Sequence, residues 1–200
     1  SYMMLAQLYG YRWKDSNNGS TDGVVLRVDM SSEEMALSTL LETYQQIYDD
    51  LDEAISLYKS SKIKRASDEN FLPSIEVAYA TYARAALNRE DYPTAEKYAA
   101  LARKDFPLMS VEEYNEGFSK PNKEWIWSCF GAVDETLYYY SYFAYIGYNS
   151  NASAVRNYPK RISRELYNTI PETDIRRDLF LDSLDDEYTG SNGLAKTNSP

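Results

Sequence analysis

The stretch 74–107, "SIEVAYATYARAALNREDYPTAEKYAALARKDFP", restricts the fold more than any other part of the chain. Its two halves are nearly equal in length and each is helical in composition. Asn88–Asp91 turns the chain between them, and Pro93 suits the opening turn of the second helix. Two helices joined by so few residues are expected to lie antiparallel as a hairpin. Ser74 is the expected cap of the first, and the second should stop before Pro107.

Residue size at fixed spacing sharpens this. Ala83, Ala95 and Ala102 fall where small residues let paired helices approach closely, with Pro107 five beyond the last. Tyr79 and Tyr82 stand where a tetratricopeptide repeat carries its Trp and Leu. Ala99 and Ala86 depart from that pattern, replacing the usual Phe and Tyr. One repeat cannot bury its face alone, so neighbouring helices are required. The candidates are a long helix over 32–60 and a short one over 1–10. In the long one, Leu37, Leu40, Leu41, Tyr44, Ile47, Tyr48, Leu51, Ala54, Ile55 and Tyr58 form an apolar stripe. Ser31 or Ser32 is its expected cap. The opening "SYMMLAQLYG" reads as a helix closing at a left-handed Gly10, and a chain that begins inside a helix is expected to be part of something longer.

Composition excludes several functions. A net charge of −10 opposes phosphate, so no nucleic-acid partner is expected. The absence of histidine removes the commonest general base and metal ligand. The single cysteine, Cys129, permits neither an internal disulfide nor a thiolate zinc site. The loop after Gly10 holds Asp15, Asn17 and Gly19 at a spacing faintly like a calcium loop. Leu26 stands where that loop needs its glutamate, which argues against calcium. Nothing calls for a cofactor, and no motif orients a catalytic acid, so the chain is read as non-enzymatic.

Beyond Pro107 the character changes. A short helix is expected at 110–118, an apolar run at 125–130 reads as a strand with Trp125 and Trp127 in the core, and a last helix covers "ISRELYNTI". A short extended piece is expected at 24–28. The fold class is therefore mainly α, tetratricopeptide-like helical repeats with little β. Residues 1–107 are expected to form the repeat region, and 108–200 a loop-rich subregion of the same domain.

In this order the pieces resemble the SusD/RagB family. "MLAQLYG" looks like that family's helix ending in Leu-Tyr-Gly, and "DGVVLRVD" is similar to its Gly-Val-Pro-Leu segment, with Val25 in place of proline. "TYQQIYDDLDEAISL" resembles its Tyr-x-x-Ile-x-x-Asp-Leu-x-x-Ala-Ile helix most specifically. The hairpin, "EWIWS" and "ISRELYNTIPETDIRRDLF" follow in the family's order. The resemblance implies an internal piece of an outward-facing outer-membrane lipoprotein for nutrient uptake. Such a protein binds polysaccharide or oligosaccharide and delivers it to a SusC-like TonB-dependent transporter. Membrane attachment would run only through an N-terminal lipidated cysteine outside this chain. Cys129 is internal and cannot be that anchor.

The family carries ligand-contacting aromatics in loops after its repeats, which is where "DETLYYYSYFAYIGYN" lies, over 134–149. Tyrosine is the chain's abundant aromatic, at 20 residues. Its ring can cover the C–H face of a sugar while its hydroxyl stays wet. Tyr138, Tyr139, Tyr140, Tyr142, Tyr145 and Tyr148 are the candidate stacking rings, with Asn149 and Arg156 as polar contacts and Trp13 as an outlying aromatic. Structural packing is the leading competitor. Tyr138, Tyr140 and Tyr142 alternate as on a strand, whereas Tyr138, Tyr142 and Tyr145 would share a helix face. The alternative function is a helical-repeat scaffold for peptides or proteins, its tyrosines being structural.

Overall fold

The computed structural model describes residues 1–66, 68–116, 118, 121–129 and 162–180. The chain is mainly helical, and among the described residues no strand forms. It divides into two compact units: Ser1–Leu108 with Lys123–Cys129, and Met109–Asn122 with the chain from Phe130 onward.

Helix α1 spans Tyr2–Tyr9, α2 Leu40–Ser61, α3 Ile75–Asn88 and α4 Tyr92–Arg103. In the first unit α3 and α4 make the expected hairpin, α2 packs on α3, and α1 leans on α2. Alanine makes the close approach possible. Ala85 and Ala86 are wholly enclosed, and Ala78, Ala95 and Ala102 are buried beside them. From α2, Leu40, Tyr44, Ile47, Tyr48 and Ile55 supply the rest of the core. Each large apolar side chain enclosed there stabilises the unit by about 1.5–3 kcal/mol before ordering costs.

Several local expectations are corrected. The long helix starts at Leu40, not near residue 32. Thr39 and Glu42 form a capping box, the hydroxyl accepting from the Glu42 N–H while the Glu42 carboxylate accepts from the Thr39 N–H. Ser31 is engaged elsewhere: its N–H donates to Asp29 Oδ1 at 3.0 Å, and its carbonyl accepts from the Arg27 guanidinium. Ser38 is held extended by hydrogen bonds with Gly23 and Val24, so the helix cannot grow backwards. The expected extended piece at 24–28 forms no strand; the bridge in this loop, Asp22 to Thr39, lies just before it, and Val24 is buried.

Gly10 does end α1, but at φ −84°, an extended conformation open to any residue. Glycine is needed there for space. A Cβ would lie 2.6 Å from the Ala6 carbonyl oxygen and 3.2 Å from Leu40 Cδ1. Finally, 125–129 forms no strand, and Trp127 is 52% exposed rather than in the core, with Trp125 half-buried. An apolar run is not enough to make a strand where no partner edge exists.

The second unit is described at α5 (Val111–Asn115) and α6 (Arg164–Thr169). Ser110 and Glu113 cap α5 in another box, and the helix ends three residues short of the expected 118. Ser163 caps α6. Tyr167 on α6 is buried, with Phe180 edge-on at 6.0 Å and the Arg177 guanidinium 4.4 Å above its ring. Arg177 also donates to the Ile170 carbonyl at 2.7 Å, closing the chain after α6. No helix among the described residues is long and apolar enough to cross a membrane.

Candidate functional site

Tyr138, Tyr139, Tyr140, Tyr142, Tyr145, Tyr148, Asn149 and Arg156 lie outside the described residues. Trp13 is the candidate whose surroundings are described. It opens a 3-10 turn, Trp13–Asp15, that belongs to the loop between α1 and α2. Ser16, fully buried, holds this loop by donating to the Trp13 carbonyl at 2.6 Å and accepting from the Gly19 N–H at 2.8 Å. Asn17, Asn18 and Gly19 all have positive φ, 47°, 56° and 82°. At Gly19 a Cβ would come within 2.8 Å of the Trp13 ring.

The indole is half-buried and already has partners. Tyr44 meets it edge-on at 5.7 Å, and the Arg89 guanidinium sits 4.9 Å from its centroid. Arg89 lies equally close to Tyr48, at 5.1 Å, so one cation bridges two rings. A sugar reaching Trp13 would have to displace Arg89 from the face that the cation covers. Asp15 pairs with Arg12 at 2.6 Å. Among the described residues no group of three or more acidic or thiol side chains is placed to hold a metal.

From Tyr48 a series of rings crosses all three packed helices. Tyr48 on α2 meets Tyr82 on α3 at 4.8 Å, Tyr82 stacks on Tyr98 of α4 at 3.9 Å, and Tyr98 meets Tyr79 at 5.9 Å. The phenol groups of Tyr82 and Tyr98 both point to the Asp52 carboxylate, and that of Tyr48 to Asp91, each at a long 3.4 Å. Burial raises the pKa of Tyr48 to about 12, with Asp91 adding to the shift and Arg89 opposing it. Tyr82 and Tyr98 are also raised, first by burial and then by Asp52. These phenols therefore remain neutral donors at ordinary pH and supply no nucleophile or base. Their faces are taken up by one another and by the cations of Arg89 and Lys97, which makes the ladder a brace.

On the hairpin there is also an open cleft of about 320 Å³, lined by Ala80, Ala83, Ala99, Ala102, Phe106 and Ile126, with Arg103 and Glu124 among its walls. Its origin is legible in the repeat pattern. Ala99 stands where the repeat's Phe would fill this space. The role of Arg89 leaves no such signal, because an arginine one residue past a helix end reads as a solvated turn.

No protein-family profile matches the chain, and no curated protein matches it. Among solved structures, it is similar to a SusD superfamily protein from Bacteroides thetaiotaomicron, with a TM-score of 0.65 and 20% sequence identity. The likeness covers 98% of this chain but 43% of that one, so the chain spans less than half of its structural neighbour. What the two share is the fold, which is mainly helical.

Proposed function

We propose that the chain is part of a SusD/RagB-type surface protein that binds oligosaccharide or polysaccharide without catalysis. It passes the ligand to a SusC-like TonB-dependent transporter in the outer membrane. Residues 1–107 serve as the rigid repeat region and 108–200 as the ligand-binding subregion of the same domain. In the full-length protein a lipid anchor preceding this chain holds it outward-facing at the cell surface.

The observation that carries this reading is the SusD-like fold over 98% of the chain, combined with a tyrosine-rich stretch at the position where the resemblance expects ligand loops. A helical brace such as the Tyr48–Tyr82–Tyr98 ladder is what a receptor needs in order to hold aromatic faces in water without collapse. The test is a glycan panel followed by tryptophan and tyrosine fluorescence. Saturable binding to at least one carbohydrate class is expected, and no binding to any would overturn the reading.

A second reading draws on the alanine-lined cleft. An open apolar groove on a repeat hairpin suits a peptide's side chain, as in helical-repeat scaffolds. Peptide binding with no carbohydrate binding in the same assay would favour it.

A further inference from the structure

We infer that the cleft on the hairpin takes one aromatic side chain from a protein segment that carries a carboxylate on the adjacent residue. The inference deepens the peptide reading and rests on it, and it stands whether or not the chain also binds glycan. All of the residues lining the cleft belong to the first unit.

Size and chemistry select a side chain over a sugar. A volume of about 320 Å³ lies at the small end of ligand pockets, which run from about 300 to 1,000 Å³. Ala80 and Ala83 from α3 and Ala99 and Ala102 from α4 line it with methyl groups, and Phe106 and Ile126 add larger apolar contacts. Such walls leave the hydroxyl groups of a sugar without partners, which is costly. An aromatic ring gains there from the area it buries. Ala99 is itself exposed, a methyl where the repeat pattern places a Phe.

Charge selects the neighbour of that ring. Arg103 follows Ala99 by four residues, so the two share one side of α4. It is exposed, and among the described residues its guanidinium has no ion pair or hydrogen bond. Glu124, the acid in the lining, is engaged in an interaction of its own. Arg103 is therefore the charge available to a ligand. One helical turn is about 5.4 Å and consecutive peptide residues are about 3.8 Å apart, so a ring over Ala99 brings an adjacent carboxylate within reach of Arg103.

The test is NMR of the 200-residue chain with carbon-13 in its alanine methyl groups, four of which line the cleft and report its occupancy. The probes are the acetylated, amidated peptide Gly-Ser-Phe-Asp-Ser-Gly and its Phe-Lys and Ala-Asp counterparts. The Phe-Asp peptide should shift the four methyl signals saturably. Losing the ring should weaken binding by at least about tenfold, and losing the carboxylate by about threefold. Arg103→Gln should erase the advantage of Phe-Asp over Phe-Lys. Ala99→Phe, which returns the repeat's ring to the cleft, should abolish binding while helical circular dichroism is kept. Equal affinities for Phe-Asp and Phe-Lys, unchanged by Arg103→Gln, would overturn the inference and leave the peptide reading standing. No methyl shift with any peptide would overturn both. Cellohexaose shifting these methyls where the peptides do not would assign the cleft to sugar and overturn both as well.

Discussion

Tyr82 and Tyr98 stack face to face, their centroids 3.9 Å apart and their planes inclined by only 17°, and both hydroxyls converge on Asp52. One residue belongs to α3, the next to α4 and the carboxylate to α2, so a single contact joins all three long helices of the first unit. Tyr48 extends the stack on the α2 side. The packing of the repeat therefore depends on Tyr82, at a position that a tetratricopeptide pattern assigns to Leu, and on Tyr48 and Tyr98, which that pattern does not mark.

Removing the central ring should be severe. Tyr82 is 5% exposed, so Tyr82→Ala is expected to lower unfolding free energy by about 3–5 kcal/mol in urea titrations. Tyr82→Phe should cost under about 1 kcal/mol, because the hydroxyl is 3.4 Å from Asp52, beyond the usual range for such a bond. Equal losses in the two variants would place the stabilisation in the hydroxyl and contradict a packing role.

The same phenols imply an alkaline limit. Tyr48 titrates near 12 when folded, against an ordinary value of 10, and Tyr82 and Tyr98 shift in the same direction. Above pH 10 the unfolded chain loses these protons while the folded chain keeps them, so stability falls as pH rises through that window. It is fully present below pH 10. Denaturant midpoints measured at rising pH should decline from about pH 10 upward, and Tyr48→Phe should flatten part of the decline. A midpoint independent of pH up to 12 would refute these shifts.

At the start of α2, Thr39→Ala should destabilise the first unit by about 1 kcal/mol, whereas Ser31→Ala and Ser32→Ala should have no effect on helix content. The Thr39–Glu42 box is the observation behind this contrast. Circular dichroism melts of the three variants separate the two possible caps.

That contrast also marks where local sequence stops being informative. The stripe from Leu40 to Tyr58 and the hairpin of α3 and α4 are legible because helical periodicity and alanine spacing are local signals that packing reinforces. The true start of α2 is equally written, as Thr39-x-x-Glu42, but two serines followed by two glutamates upstream offer a competing cap. Only the pairing of Gly23 with Ser38 decides between them, and it joins residues fifteen apart in a loop with no periodic pattern. Arg89 over Trp13 and Asn70 against Ser128 are hidden for the same reason. Neither pair shares an element, and each depends on how the helices have already packed.

Gly19 offers a further test of the Trp13 loop. At φ +82° and with the indole 2.8 Å from where a Cβ would stand, Gly19→Ala faces both backbone strain and a clash. A loss of about 1–3 kcal/mol is expected, with a shift in tryptophan emission as the ring leaves Arg89 and Tyr44. Unchanged emission with full stability would mean that the loop moves aside freely and that Trp13 is not held by it.

The final prediction concerns the tyrosine stretch itself. The ladder braces the first unit with Tyr48, Tyr79, Tyr82 and Tyr98. If Tyr139 and Tyr145 meet sugar, alanine at either should weaken glycan binding without lowering the melting temperature. Loss of one stacking ring should reduce affinity by about twofold to tenfold, the scale of one aromatic contact. Calorimetric titration and thermal melts on the same samples separate the cases. A melting temperature that drops sharply while affinity holds would return both rings to the interior and leave the peptide scaffold as the better reading.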